Sequence, residues 1–275
     1  MSGAALTAAC TRKTNAQSES DGAHADTPLH ESVVSLPAGD GTGDAFFVHP
    51  ARGRHPAILV WPDIAGLRDT FKEMARRLAR QGYAVLVVNP YYRGARSPVL
   101  ERFSDWLTDE GKAKIQPLRS ALTAEAITRD ADAYTRWLLA QDVVERTAKI
   151  GTLGFCMGGP FTVWTAAAIA HVGAAASMHG AGLVTDAPSS PHRMLGKGDA
   201  AYLFAIAQND DTKDPSSQGT LRNAAKEAGR DAEIEVYPAD HGWTVPDSPA
   251  YDASAAERAW QRILALFNAQ LTRKT

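Results

Sequence analysis

Apolar residues in this chain gather into short unbroken runs, separated by longer stretches in which they recur every three or four positions. Ala57–Trp61 (AILVW) and Ala84–Val88 (AVLVV) are continuous apolar runs, the signature of strands buried on both faces. Between them, Thr70–Gln81 places Phe71, Met74, Ala75 and Leu78 at helical spacing, and Gly82 closes the segment as a C-cap glycine. The alternation then continues. Ala124–Ala140 reads as a helix with Ile127, Ala131, Tyr134 and Leu138 turned inward, Lys149–Gly154 as a strand and Pro160–Ala170 as a helix. Gly173–Met178, Tyr202–Ala207 and Glu233–Tyr237 read as further strands, with a helix around Gly219–Ala228 and a long amphipathic helix over Ser254–Leu271. Upstream, Ser32–Leu36 and Asp44–Val48 are two short strands joined by a turn over Gly39–Gly43. Strands that alternate with helices predict βαβ units: an α/β fold whose mostly parallel central sheet is covered by helices on both faces.

Residues 1–27 show no such period and are rich in Ala, Ser, Thr and Gly, so a tail without a core is expected ahead of one domain over 28–275. Ala8-Ala9-Cys10 resembles a lipoprotein cleavage site, but the stretch before it is short, uncharged and broken by Thr7, and the expected location is the cytoplasm. The 29 basic and 31 acidic residues nearly cancel and form no basic stripe, which disfavours a nucleic-acid partner. No apolar run is long enough to predict a membrane span. Two cysteines, Cys10 and Cys156, are too few for a disulfide framework or a structural zinc site. With no HExxH, P-loop or paired CxxC motif, neither metal nor cofactor is expected. Cys10 reads as inert.

Ligands of open parallel sheets bind beyond the carboxyl ends of the strands, so the polar residues just after each strand are the candidates. The sharpest is Gly154-Phe155-Cys156-Met157-Gly158-Gly159, between a strand and a helix. A nucleophile in a tight strand-to-helix turn needs glycines two residues to either side, because a Cβ there would clash with the neighbouring backbone. Its sulfur stands at a helix N-terminus, where the dipole favours a thiolate, and the Met157 N–H is aimed where an oxyanion would form. His241, in Tyr237-Pro238-Ala239-Asp240-His241, follows the last strand and is the candidate general base. The chain order nucleophile, acid, histidine is that of α/β-hydrolases. The acid follows Tyr202–Ala207 in Gln208-Asn209-Asp210-Asp211, where Asp210 has the better position and Asp211 competes. After Ala57–Trp61, Ile64 is placed to offer a second oxyanion-hole N–H, and Asp63 is either a site acid or a capping residue.

Together these pieces resemble the dienelactone hydrolase family, thiol-dependent members of the α/β-hydrolase fold. The matching segments are VWPDIAGLR (60–68), GYAVLVVNPYYR (82–93), GFCMGG (154–159), the acid after YLFAIA, and VYPADHGW (236–243). The resemblance implies Cys156 as nucleophile, His241 as base and Asp210 as orienting acid, acting on a small-molecule ester or lactone through a thioester. The family carries an acid, usually Glu, at the position of Asp63, where it contacts the resting thiol; here the side chain is shorter. The family also grips a substrate carboxylate with arginines. Arg93, with Tyr92 beside it, is the candidate for the first, and after His241 no arginine occurs before Arg258. With that second clamp missing, the expected substrate is an unidentified ester or lactone rather than dienelactone itself.

The insert Gly94–Arg119, holding Phe103 and Trp106, is longer than a bare connection requires and is expected to form a lid. His179, after Gly173–Met178, is a candidate pocket wall. The competing function is a hydrolase-shaped protein whose thiol senses oxidant or binds a partner. The sequence leaves monomer or dimer open.

Overall fold

The computed structural model describes residues 27–272, so the predicted tail, Cys10 included, lies outside the described residues save Thr27. Eight strands form one sheet: β1 (Leu29–Ala38), β2 (Gly41–Pro50), β3 (Ala57–Trp61), β4 (Ala84–Val88), β5 (Ile150–Phe155), β6 (Val172–Met178), β7 (Ala201–Ala207) and β8 (Ala232–Tyr237). Their spatial order is β1-β2-β4-β3-β5-β6-β7-β8. β1 and β2 form an antiparallel hairpin, β2 runs antiparallel to β4, and all remaining pairs are parallel.

The helices are α1 (Asp69–Arg80), α2 (Phe103–Trp106), α3 (Asp109–Arg119), α4 (Ala124–Ala140), α5 (Gly159–Ala168), α6 (Gln208–Lys213), α7 (Ser217–Glu227) and α8 (Ala253–Leu271). The unbroken apolar strands are explained by the two cores they serve. Leu59 and Trp61 of β3 enter one core with Ile127 and Tyr134 of α4, Phe161 of α5 and Leu221 of α7. Ile58 and Val60 enter the other, with Phe71 and Leu78 of α1 and Ile263 and Phe267 of α8. This is the α/β-hydrolase architecture expected from the sequence, with element ends moved by up to three residues.

One local reading changes, and two segments gain elements. The turn over Gly39–Gly43 is a two-residue turn, Gly39-Asp40, and Gly41 to Gly43 already pair with Ala38 to Leu36. Those glycines read as turn because β1 is an edge strand exposed along most of its length, so little apolar alternation marks the hairpin. The acid-bearing segment after β7 forms a short helix, α6. The insert 94–119 contains α2 and α3, anchored by the buried Leu100 and Ile115.

The registers Trp61↔Gly154, Phe155↔Met178, Met178↔Ala205 and Ala207↔Tyr237 bring the carboxyl ends of β3, β5, β6, β7 and β8 to one edge. The segments that begin at Pro62, Cys156, His179, Gln208 and Pro238 therefore converge there.

Candidate active site

Cys156 follows the last residue of β5 directly, in a single 3-10 turn (Cys156–Gly158) that leads into α5 with Pro160 in its first turn. Its φ of 51° lies in the left-handed region, which among the described non-glycine residues only His179 shares. Such a backbone costs on the order of 1–3 kcal/mol and persists only where the surroundings fix it. Here they do. A Cβ on Gly154 would run into the Gly158 carbonyl, and one on Gly158 into the Trp61 carbonyl, so the turn is pressed against β3 as only glycine permits. The Cys156 carbonyl accepts from Ala181 N–H at 3.1 Å, and the thiol remains half-buried.

His241 is held from two directions. Its Nδ1 lies 2.5 Å from Asp210 Oδ2 and its backbone N–H donates to Asn209 Oδ1 at 2.9 Å, while the Cys156 sulfur bears on the ring electrostatically. Burial alone would lower its pKa, but the bond to Asp210 and the sulfur of Cys156 push it up to about 10. With Nδ1 taken by Asp210, Nε2 is the nitrogen left for the sulfur. Burial works to raise the Asp210 carboxyl, yet His241 and Lys213 hold it below the usual carboxylate range. Asp210, on the first turn of α6, is thus the acid that meets the histidine; Asp211 does not contact it.

His179 sits behind this pair. It is fully buried, its ring centroid is 4.9 Å from that of His241 and 5.1 Å from that of Trp243, and Nε2 lies 2.8 Å from Thr244 Oγ1. Desolvation, reinforced by His241, holds its pKa well below the ordinary value, so it packs as a neutral ring against the back of His241.

The loop after β3 carries Ile64. Its amides at Ala65 and Gly66 fold back on Asp63, to Oδ1 at 2.9 Å and to the carbonyl at 3.0 Å. Of the two roles the sequence left open for Asp63, its bond from the Ala65 N–H fits the capping one rather than the thiol-holding one. Its carboxylate is occupied by Arg68 through bonds of 2.8 and 3.0 Å, so it does not hold the thiol. The physical reason is reach: the short side chain turns back onto the guanidinium five residues on. Arg93 is engaged within the fold as well. Its guanidinium forks onto Asp130 (2.8 and 2.8 Å) and its Nε meets Asp40 at 2.7 Å, while the Tyr92 hydroxyl donates to Asp130 at 2.6 Å. Both residues tie the hairpin to α4, and neither is free to grip a substrate.

Sequence reasoning missed Tyr91, Arg68 and Arg119. Tyr91, beside the residue singled out, donates its hydroxyl to the Ile64 carbonyl at 2.7 Å and lies 3.4 Å from Met157 Sδ. Arg119 at the end of α3 lines a cavity of about 330 Å³ with Leu122, Met157, Phe161, Trp164 and Pro191. Tyr91 reaches Met157 across 66 positions and Arg68 reaches Asp247 across 179, and no local pattern encodes such contacts. No group of side chains suited to a metal ion and no helix long and apolar enough to cross a membrane occurs among the described residues.

Comparison with known proteins follows the same lines. Residues 44–271 match the profile of the dienelactone hydrolase family. A Synechocystis sp. protein provisionally named a carboxymethylenebutenolidase is 28% identical over 248 residues, covering 88% of this chain and 98% of the relative. A Bradyrhizobium sp. protein provisionally named a 2-oxo-3-(5-oxofuran-2-ylidene)propanoate lactonase is 28% identical over 225 residues, covering 80% of this chain and 86% of that one. Among solved structures, one from Klebsiella pneumoniae, provisionally titled a dienelactone hydrolase, superposes with a TM-score of 0.76 at 24% identity, over 87% of this chain and 98% of its own.

Proposed function

The chain belongs to the dienelactone hydrolase family, and from that premise we propose that it hydrolyses a small-molecule ester or lactone with Cys156 as nucleophile, His241 as acid–base and Asp210 as orienting acid. The observation that carries this reading is the strained turn that presents Cys156 to a histidine whose other nitrogen is fixed by a carboxylate at 2.5 Å.

In the proposed cycle the Cys156 thiolate adds to the substrate carbonyl, and the carbonyl π electrons move to oxygen. The resulting oxyanion is met by the amides of Met157 and Ile64, each worth on the order of a hundredfold or more in rate. Collapse re-forms the carbonyl and breaks the C–O bond. The His241 proton goes to the leaving alkoxide, which leaves a thioester and neutral His241. Water then gives a proton to His241 as it adds to the thioester, and the second collapse expels the thiolate. Because the thiolate is itself a good leaving group, activated esters and lactones react and unactivated amides return to starting material. The cavity beside Met157 accommodates the substrate, with an apolar wall from Phe161 and Trp164 and the exposed Arg119, which has no ion-pair partner among the described residues. In this reading Arg119 takes the carboxylate-gripping role that the sequence assigned to Arg93.

The test is p-nitrophenyl acetate hydrolysis by wild type, Cys156→Ala and His241→Ala. Turnover should fall by at least about a thousandfold in both variants. Wild-type rates in either would refute the mechanism. Repeating the assay on esters with and without a carboxylate, in wild type and Arg119→Ala, reports which part of the substrate the guanidinium meets.

A further inference from the structure

Arg68 is fully buried, and all five of its N–H groups are engaged. Nη1 and Nη2 donate to Asp63 (2.8 and 3.0 Å), Nε and Nη2 to Asp247 (2.8 and 2.7 Å), and Nη1 also to the Gly66 carbonyl (3.1 Å). Asp63 flanks Ile64, whereas Asp247 belongs to the loop that follows His241 and accepts from the Phe103 N–H of the insert at 3.0 Å. One guanidinium thus joins three segments that border the site. A buried ionic network of this kind adds little net stability over an apolar filling, so its consequence lies in geometry. On the same loop, the buried Tyr91 hydroxyl holds the Ile64 carbonyl and lies 3.4 Å from the sulfur of Met157, whose amide is the other oxyanion donor in the reading above.

Building on the hydrolase reading above, we infer that Arg68 and Tyr91 are positioning residues that set the Ile64 amide at the oxyanion. Neither touches the reacting atoms. They hold the loop at successive residues, Arg68 through Asp63 and Gly66 and Tyr91 through the Ile64 carbonyl. A lysine at 68 has three donors and no planar fork, so it cannot span both carboxylates and the carbonyl. A phenylalanine at 91 keeps the ring and loses only the hydroxyl.

Two reactions of the same sulfur separate this role from simple structural support. Acylation by p-nitrophenyl acetate builds an oxyanion. Alkylation by iodoacetamide displaces iodide and builds none. In Tyr91→Phe and Arg68→Lys, the pre-steady-state acylation rate of Cys156 should fall about tenfold to a hundredfold, the scale set by a misplaced oxyanion donor, while the alkylation rate stays within about twofold of wild type. Tyr91→Phe alone suffices should the lysine variant fail to fold. Equal losses in both reactions would overturn the proposal, because they would mean general disruption of the site. Acylation at the wild-type rate in a folded variant would overturn it as well. Wild type that is alkylated yet never acylated at Cys156 would instead refute the underlying hydrolase reading, and the proposal with it.

Discussion

At the scale of single residues, the site is a contest between burial and pairing. Burial penalises charge on both Asp210 and His241, yet each holds the other ionised, and the sulfur of Cys156 adds to the effect on the histidine. The folded-state pKa of His241, about 10, exceeds the ordinary value of 6.5. The stability this proton provides is therefore complete below about pH 6.5 and is lost as pH rises towards 10. Asp210→Asn removes the largest of the interactions that raise the pKa. The imidazole signal of His241 should then titrate lower by NMR, and ester turnover should fall by up to about 10⁴-fold. Asp211→Asn should change neither, and a histidine titration unmoved by Asp210→Asn would exclude the pairing. Which residues could be foreseen follows the range of their contacts. Cys156 and His241 are marked by their own neighbours, a glycine-flanked turn and a strand end. Arg68 reaches Asp247 across 179 positions, and no local pattern encodes that.

Among the elements, the hairpin β1–β2 shows how a surface-looking arginine acquires a structural role. The carboxylate of Asp130 on α4 is buried, and Arg93, the Tyr92 hydroxyl and the Gly39 N–H all converge on it. Arg93→Ala leaves that carboxylate without its cation, which should cost about 3 kcal/mol in urea denaturation while kcat on a neutral ester stays near wild type. An unchanged midpoint with a raised KM for carboxylate-bearing esters would restore Arg93 as a substrate clamp. The buried strands β3 and β4 were legible because a run of apolar residues has few alternatives in an α/β chain. The edge hairpin was less so, since Val33 and its neighbours stay exposed and the glycines that open β2 imitate a turn. The helix that carries Asp210 was hidden for a related reason: the polar sequence of α6 buries none of its residues and so has no apolar stripe.

Across the whole molecule, the parallel sheet does one thing for function. It brings the ends of β3, β5, β7 and β8 to a single edge, so four short sequence motifs far apart in the chain form one site beside a cavity of about 330 Å³. That convergence could be argued from the alternation of strands and helices alone. The direction of each side chain could not, as Arg93 demonstrates, because it depends on a partner 37 positions away. The central claim is that carbonyl substrates become bound to the sulfur at position 156. Rapid acid quenching of wild type during p-nitrophenyl acetate turnover, followed by peptide mass analysis, tests it directly. The account predicts one acetyl group on the peptide containing Cys156, formed and lost at rates that match turnover and absent from Cys156→Ala. Turnover with that peptide unmodified, or with the acetyl group on another residue, would contradict it.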